Sequence, residues 1–228
     1  MKVCEIYESL QGEGSLTGTP SVFIRTSGCN LRCSFCDTPF ASWEPEGETL
    51  AVETLLQRVR QSTCPHFVLT GGEPMIWQDL PELCLRLRLE KKHITIETAG
   101  TIYRDLECDL MSISPKLSNS RPAIGRSADW HFRHEQERVR PEIVQLLIDR
   151  YPYQIKFVVD TVGDLEEIEL YLRSLSRYES KKVMLMPEGI SVEMLDQKRA
   201  WIEPYCAEHG FVYCDRAHLR WFGNRRGT

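Results

Sequence analysis

The chain lacks several features that would each settle a class. None of its apolar runs approaches the roughly 20 residues that a membrane-spanning helix needs. Its opening stretch, MKVCEIYESLQGEG, has no long apolar segment and no small-residue cleavage site, which predicts no secretory signal and a cytoplasmic location. Positive charge is not in excess. Lys and Arg total 28 against 33 Asp and Glu, a formal charge of −5, whereas a nonspecific nucleic-acid binder is ordinarily basic; no direct nucleic-acid binding is expected. There is no internal repeat and no low-complexity linker, so 1–228 reads as a single domain. Hydrophobic residues at 42% and charged residues at 27% exclude a disordered chain, which would be too poor in apolar side chains to fold.

Cysteine is what the chain has in unusual supply. Nine is an odd number, and a disulfide scaffold would be shorter and usually even. In a reducing compartment, clustered cysteines point to metal and scattered ones to packing. Cys29, Cys33 and Cys36 cluster. Cys4, Cys64, Cys84, Cys108, Cys206 and Cys214 are dispersed among apolar residues and read as core or incidental.

Strand-like runs rich in Val, Ile, Phe or Thr occur at 3–7, 22–26, 66–70, 93–97, 110–114, 153–159, 183–186 and 211–213. Several are almost continuously apolar, as buried parallel strands are. Helical spacing of apolar residues falls at 49–61, 78–91, 141–150, 164–176 and 191–209, with Pro204 expected to bend or divide the last. Alternating strands and helices predict an α/β fold with a mostly parallel sheet. The stretch at about 115–140 breaks the rhythm. It is polar, and reads as a long insertion, either a mobile surface loop or a lid over a substrate. His131 and His134 within it read as solvated surface residues rather than metal ligands.

The cysteine motif, Cys29-Asn-Leu-Arg-Cys33-Ser-Phe-Cys36, follows a strand and Gly28. Three thiolates can hold three irons of a [4Fe–4S] cluster, while a pure electron-transfer cluster ordinarily takes four. Three leave one iron open for a ligand. A zinc site with three cysteines and one further ligand is the rival, weakened by the lack of a histidine at close, finger-like spacing. The C-x3-C-x2-C motif, with an aromatic before its last cysteine, resembles that of the radical S-adenosylmethionine (SAM) superfamily. Thr70-Gly71-Gly72-Glu73-Pro74, at a strand end, is similar to the GGEP element that holds the SAM amino group there. The resemblance implies a partial (β/α) barrel whose site lies at the C-terminal strand edge. It also implies an open iron that binds SAM, and reductive cleavage of SAM to methionine and a 5′-deoxyadenosyl radical.

Further motifs resemble one family, 7-carboxy-7-deazaguanine synthase, of the queuosine and deazapurine pathway. Ser9-Leu10-Gln11-Gly12-Glu13-Gly14 is similar to its S-x-QGEG signature, Ser114-Pro115-Lys116 to SPK and Glu97-Thr98-Ala99-Gly100-Thr101 to ETxGT. Trp221-Phe222-Gly223-Asn224-Arg225-Arg226-Gly227 is similar to a WGN-x-RG ending, apart from the inserted Phe222. The resemblance runs from residue 5 to the end and is thinnest at 117–150. It implies a carbon–nitrogen lyase that converts 6-carboxy-5,6,7,8-tetrahydropterin to 7-carboxy-7-deazaguanine. Hydrogen is abstracted from carbon 6, the ring contracts, ammonia leaves and SAM is regenerated.

Residue roles follow from the resemblance. Cys29, Cys33 and Cys36 hold the cluster. Phe35, Cys36, Asp37, Gly72, Ser114, Pro115 and Lys116 border SAM. Met186, Pro187, Glu188 and Gly189 supply a late-strand contact near the adenine; Met186 stands where the family usually carries Gln, so backbone contacts are expected there. Leu10, Gln11 and Gly12 wall the pterin, and Gln11 suits its amide edge because an amide both donates and accepts. Arg25 clamps a carboxylate, Thr70 hydrogen-bonds the substrate and Glu13 is a further candidate. Thr38, otherwise an ordinary turn residue, supplies a hydroxyl ligand to Mg²⁺, which keeps waters and needs few protein ligands. Arg216, Arg220, Arg225 and Arg226 are expected to be structural or to meet the substrate carboxylate. A flavodoxin or ferredoxin reductant and a homodimer complete the expectation. The alternatives are a glycyl-radical activating enzyme and a non-enzymatic Fe–S or zinc module.

Overall fold

The computed structural model describes residues 1–228. In chain order the elements are β1 (Lys2–Leu10), β2 (Pro20–Thr26), α1 (Pro39–Ser42), β3 (Glu48–Thr49), α2 (Val52–Val59), β4 (His66–Gly71), α3 (Leu80–Leu89), β5 (His93–Thr98) and β6 (Leu110–Ile113). They continue with α4 (Ala128–Arg138), α5 (Pro141–Arg150), β7 (Tyr153–Val159), α6 (Gly163–Arg173), β8 (Val183–Pro187), α7 (Val192–His209), β9 (Val212–Tyr213) and α8 (Ala217–Phe222). One sheet holds all the strands in the order β3-β1-β2-β4-β5-β6-β7-β8-β9. β1 pairs antiparallel with β2 and β3, and every pair from β2 to β9 is parallel. The result is a partial (β/α) barrel, with β3 and β9 at its edges. No helix is long and apolar enough to cross a membrane.

The two faces of the sheet differ in chemistry because side chains alternate along each strand. Ile24, Leu69, Ile96, Ile113, Phe157 and Leu185 point one way and are fully buried in the main apolar core with Leu55, Leu83, Leu147 and Ile168 from the helices. Each such side chain stabilises the fold by about 1.5–3 kcal/mol. The intervening positions face the barrel interior and carry Arg25, Thr70, Glu97, Ser112 and Lys156. The helix pattern follows the same logic: α2 buries Val52, Leu55, Leu56 and Val59 at helical spacing.

The loop between β1 and β2 crosses the open side of this barrel. Gly14 N donates to Cys214 Sγ at 3.2 Å, and Ser15 N and Oγ donate to Gln154 Oε1 of β7 at 2.9 and 2.8 Å. Gly14 has φ +78°, and a Cβ there would lie 2.3 Å from Gln154 Nε2. Backbone conformation and close approach therefore both select glycine at this point of the QGEG sequence.

Three expectations need correction. Pro204 does not divide α7, which runs unbroken from a Ser191 N-cap to Gly210 in the left-handed conformation; the two caps and the buried Leu195, Ile202 and Cys206 outweigh one lost backbone bond. The 115–140 stretch is not irregular throughout: α4 forms there, with Ser127 Oγ accepting from Trp130 N. Its buried face is His134 and Arg138, so it has no apolar stripe to detect. His134 is accordingly not solvated but 0% exposed.

Candidate active site

The C-terminal ends of the parallel strands surround a cavity of about 260 Å³. Strand ends are where a (β/α) barrel places its chemistry, because the loops that follow can vary without disturbing the sheet. The cavity gathers residues far apart in sequence: the cysteine loop after β2, the Gly72 turn after β4, Thr98 at the end of β5, Ser114 after β6, Met186 on β8 and Arg216 after β9.

Cys29, Cys33 and Cys36 all line it and are half-buried, unlike the fully enclosed Cys84. Leu31 N donates to Cys29 Sγ at 3.3 Å, and Trp43 Nε1 donates to Cys33 O at 3.0 Å. Burial, reinforced by Glu73, raises the Cys29 thiol well above its ordinary value; burial pushes Cys33 up to about 12 against the pull of Lys116. These thiols are protonated until a metal displaces the protons. Nowhere in the chain do three His, Cys, Asp or Glu side chains converge on a single-ion position. Three soft thiol donors lining one cavity fit the ligand set of a [4Fe–4S] cluster with one iron left open.

The turn after β4 is packed against this loop. Gly72 N donates to Thr26 O at 3.1 Å and Glu73 N to Gly28 O at 2.9 Å. A Cβ at Gly72 would lie 2.2 Å from Gly28 O and 2.7 Å from Ala41 O. The glycine is thus required by the approach of two backbones, beyond any approach to a ligand. Glu73 is fully buried. Its carboxylate accepts from Met75 N at 3.0 Å, Thr98 Oγ1 at 2.8 Å and Ala99 N at 2.7 Å. Burial raises its pKa, and those three donors oppose the rise. Glu73 therefore ties the end of β4 to the end of β5.

The same cavity holds an ionic network that reaches the residue after Cys36. Lys156 Nζ is 2.8 Å from Glu13 Oε2 and 3.6 Å from Glu97 Oε1. Arg216 Nε is 3.4 Å from Glu13 Oε1, while its Nη2 donates to Asp37 Oδ2 at 2.5 Å and its Nη1 to Gly189 O at 2.7 Å. Burial alone would raise Glu13, but Lys156 and Arg216 hold it well below the usual carboxylate range. Burial would likewise lower Lys156, and Glu13 and Glu97 more than reverse that. His218 sits beside them, its pKa lowered by burial against the pull of Glu13. Lys156, Glu97, Ser112 and His218 all line the cavity and were missed in the sequence reading. A charged residue inside the strand sequences YQIKFVV and HITIET is the signal that could have found the first two.

Leu10, Gln11, Gly12, Glu13, Arg25, Phe35, Asp37, Thr38, Thr70, Gly72, Ser114, Lys116, Met186 and Glu188 line the cavity with the three cysteines, whereas Pro115, Pro187 and Gly189 do not. Gln11 Nε2 donates to Ser21 Oγ at 2.9 Å, and its Oε1 makes no protein hydrogen bond. Arg25 donates from Nε to Glu5 at 2.8 Å and from Nη2 to Tyr7 Oη at 2.9 Å, which leaves Nη1 without a protein acceptor. Lys116 Nζ donates to Ser114 Oγ at 2.7 Å. Thr38 occupies the N-cap position of α1, yet its hydroxyl caps nothing; its one polar neighbour is Cys36 Sγ at 3.8 Å. Away from the cavity, Arg220 pairs with Asp215 and Asp196, and Arg226 with Glu5 and Glu46.

Residues 23–130 match the model of the Radical SAM superfamily. A 7-carboxy-7-deazaguanine synthase of Rhodopirellula baltica is 50% identical over 99% of this chain and 88% of its own length. One of Halobacterium salinarum is 42% identical over 96% of this chain and 89% of its own. The crystal structure of QueE from Escherichia coli superposes with a TM-score of 0.71 at 26% identity, covering 95% of this chain and 94% of that one.

Proposed function

The chain belongs to the 7-carboxy-7-deazaguanine synthase family of radical SAM enzymes, and from that premise we propose how its cavity converts 6-carboxy-5,6,7,8-tetrahydropterin to 7-carboxy-7-deazaguanine with release of ammonia. The observation that carries the reading is the convergence on one cavity of the cysteine loop, the Gly72 turn, Ser114 and Lys116, the Gln11–Glu13 loop and Arg25. A three-cysteine [4Fe–4S] cluster with SAM on its open iron supplies, when bound, the reductive cleavage of SAM that yields the 5′-deoxyadenosyl radical.

The chain's own residues bind, orient and enclose. Cys29, Cys33 and Cys36 hold the cluster. Phe35, Asp37, Gly72, Ser114, Lys116, Met186 and Glu188 border SAM. Pro115, Pro187 and Gly189 act from behind that wall; the Gly189 carbonyl holds Arg216. Leu10, Gln11, Gly12 and Thr70 contact the pterin, with the free Gln11 oxygen suited to an N–H donor on its amide edge. Arg25, fixed by Glu5 and Tyr7, directs its remaining nitrogen at the substrate carboxylate. The unengaged Thr38 hydroxyl would offer an oxygen ligand to Mg²⁺, a hard cation that needs few protein ligands and would help hold the substrate carboxylate. The β1–β2 loop, pinned to Gln154 and Cys214, covers the open side and excludes water from the radical. A flavodoxin or ferredoxin donor and a homodimeric assembly belong to the same proposal and are supported by the family resemblance alone.

Neither a glycyl-radical activating enzyme nor a non-enzymatic Fe–S or zinc module is favoured, since near full-length relatives carry the synthase name. Anaerobic turnover of carboxytetrahydropterin with SAM, dithionite and Mg²⁺ tests the reading. Ammonia and 7-carboxy-7-deazaguanine are expected. Cleavage of SAM with no pterin product would sink the substrate assignment.

A further inference from the structure

We propose that His134, with Ser120, forms a latch that sets the cysteine loop against the Ser114–Lys116 edge, which makes His134 a positioning residue for the cluster and SAM. The proposal rests on the functional reading above for what the loop and the edge hold. The latch itself is visible without it. Arg32 and Ser34 flank Cys33, and the N–H of each leaves the loop. Arg32 N donates to His134 Nδ1 at 3.1 Å, and Ser34 N donates to Ser120 O at 2.8 Å.

The hydrogen bonds then run in one direction. Because Nδ1 accepts, the neutral imidazole carries its proton on Nε2, which donates to Ser120 Oγ at 2.9 Å. Ser120 Oγ in turn donates to Leu117 O at 2.6 Å. His134 is 0% exposed, so water does not compete for these bonds. Both ring nitrogens are engaged by protein, which removes His134 as a metal ligand. One helical turn further along α4, Arg138 Nη1 donates to Lys116 O at 3.1 Å and to Glu167 Oε1 at 2.9 Å, and Glu167 accepts from Ser118 N at 3.0 Å. The face of α4 that carries His134 and Arg138 thus grips the 116–120 segment at two points and the cysteine loop at one. Arg32 adds a second contact to α4, its guanidinium 4.0 Å from the Trp130 ring while Nη1 donates to Cys29 O at 2.7 Å.

The polar 115–140 stretch therefore backs the site from outside. A buried amide that loses its acceptor is costly, so removing the imidazole frees the loop rather than letting it settle in place. The test uses the full chain with His134→Leu, His134→Asn, which keeps an acceptor near the Nδ1 position, and Ser120→Ala. In the apoprotein, amide exchange at Arg32 and Ser34 should rise at least tenfold in His134→Leu, with the β4 and β7 amides unchanged as the fold control. After anaerobic reconstitution, His134→Leu should lose the SAM-induced change in the reduced cluster's EPR signal, His134→Asn should restore it, and Ser120→Ala should fall between them. Wild-type exchange at Arg32 and Ser34 together with a wild-type SAM response in His134→Leu would overturn the latch. So would a rise in exchange spread equally over β4 and β7, which marks general packing. The exchange arm needs no cluster, so a wild-type chain that binds no iron overturns the functional reading alone.

Discussion

Lys156 and Glu13, 143 positions apart in sequence, meet at 2.8 Å and join β7 to the loop that crosses the open side of the barrel. Lys156 is almost wholly buried and Glu13 largely so, so the pair holds the loop in place from a site where water screens little. Glu13→Gln removes the Lys156 and Arg216 partner but leaves Glu97 beside Lys156 and Asp37 beside Arg216, so it should cost about 1–3 kcal/mol. The pH dependence follows from the depressed Glu13 value. Its contribution is complete above the ordinary 4.5, declines as pH falls below that, and is gone only when pH has fallen through the strongly depressed folded value. Chemical unfolding of wild type and Glu13→Gln between pH 7 and 3 should show a stability gap that is constant above about pH 5 and narrows on the acid side. A gap that widens on acidification would contradict the depressed carboxyl.

The nine cysteines should separate into two groups. Cys33→Ala should lose the cluster and SAM cleavage together, because each of the three thiolates is needed to hold one of three irons. Cys84→Ala, in the core and away from the cavity, should keep its iron and lose about 1 kcal/mol of stability. Iron content by absorbance and elemental assay decides between them. Normal iron in Cys33→Ala, or its loss in Cys84→Ala, would mean that the ligands are misassigned.

Arg25→Ala should raise KM for the pterin while leaving iron content intact. A charge-assisted hydrogen bond is worth roughly 1.5–3 kcal/mol, which is about tenfold or more in KM. Arg25→Lys should rescue only in part. Lysine has no planar fork with which to hold Glu5, Tyr7 and a carboxylate at once. Unchanged pterin binding in Arg25→Ala would remove the clamp.

Whatever was local in the sequence was legible. The strands now seen as β4, β5, β7 and β8 announce themselves by runs of buried apolar residues, and C-x3-C-x2-C fits within eight positions. What depends on distant partners was hidden. Lys156 lies inside the strand run 153–159 with nothing local to mark its role, which comes from Glu13, and α4 is invisible to periodicity because its buried face is a histidine and an arginine. The two-residue strand β3 and the short α1 and α8 are fixed by neighbours rather than by propensity, whereas β9 falls within the strand-like run at 211–213. Arg216, expected to be structural or to meet the substrate carboxylate, lies in the cavity because the chain after β9 turns back over the barrel and Ala217 N donates to Gly12 O at 2.9 Å.

Thr38 gives the sharpest test. As an ordinary turn residue it would bond nearby backbone with its hydroxyl, and the structure shows no such cap. A hydroxyl that lines the cavity with only a sulfur 3.8 Å away is free to meet a metal. Thr38→Val removes the oxygen and keeps nearly the same shape, while Thr38→Ser keeps the oxygen. Iron content should match wild type in both, since the thiols are untouched. Reductive SAM cleavage without pterin should also persist, as it needs only the cluster and the SAM wall. Pterin turnover should fall sharply in Thr38→Val and retain a Mg²⁺ response in Thr38→Ser, because Mg²⁺ takes hydroxyl oxygen readily and a methyl group offers it nothing. A structural turn residue predicts a different outcome, a modest stability loss in both variants with no change in metal dependence. Activity measured against Mg²⁺ concentration for wild type, Ser and Val separates the two, and a wild-type Mg²⁺ response in Thr38→Val would take Thr38 out of the metal site.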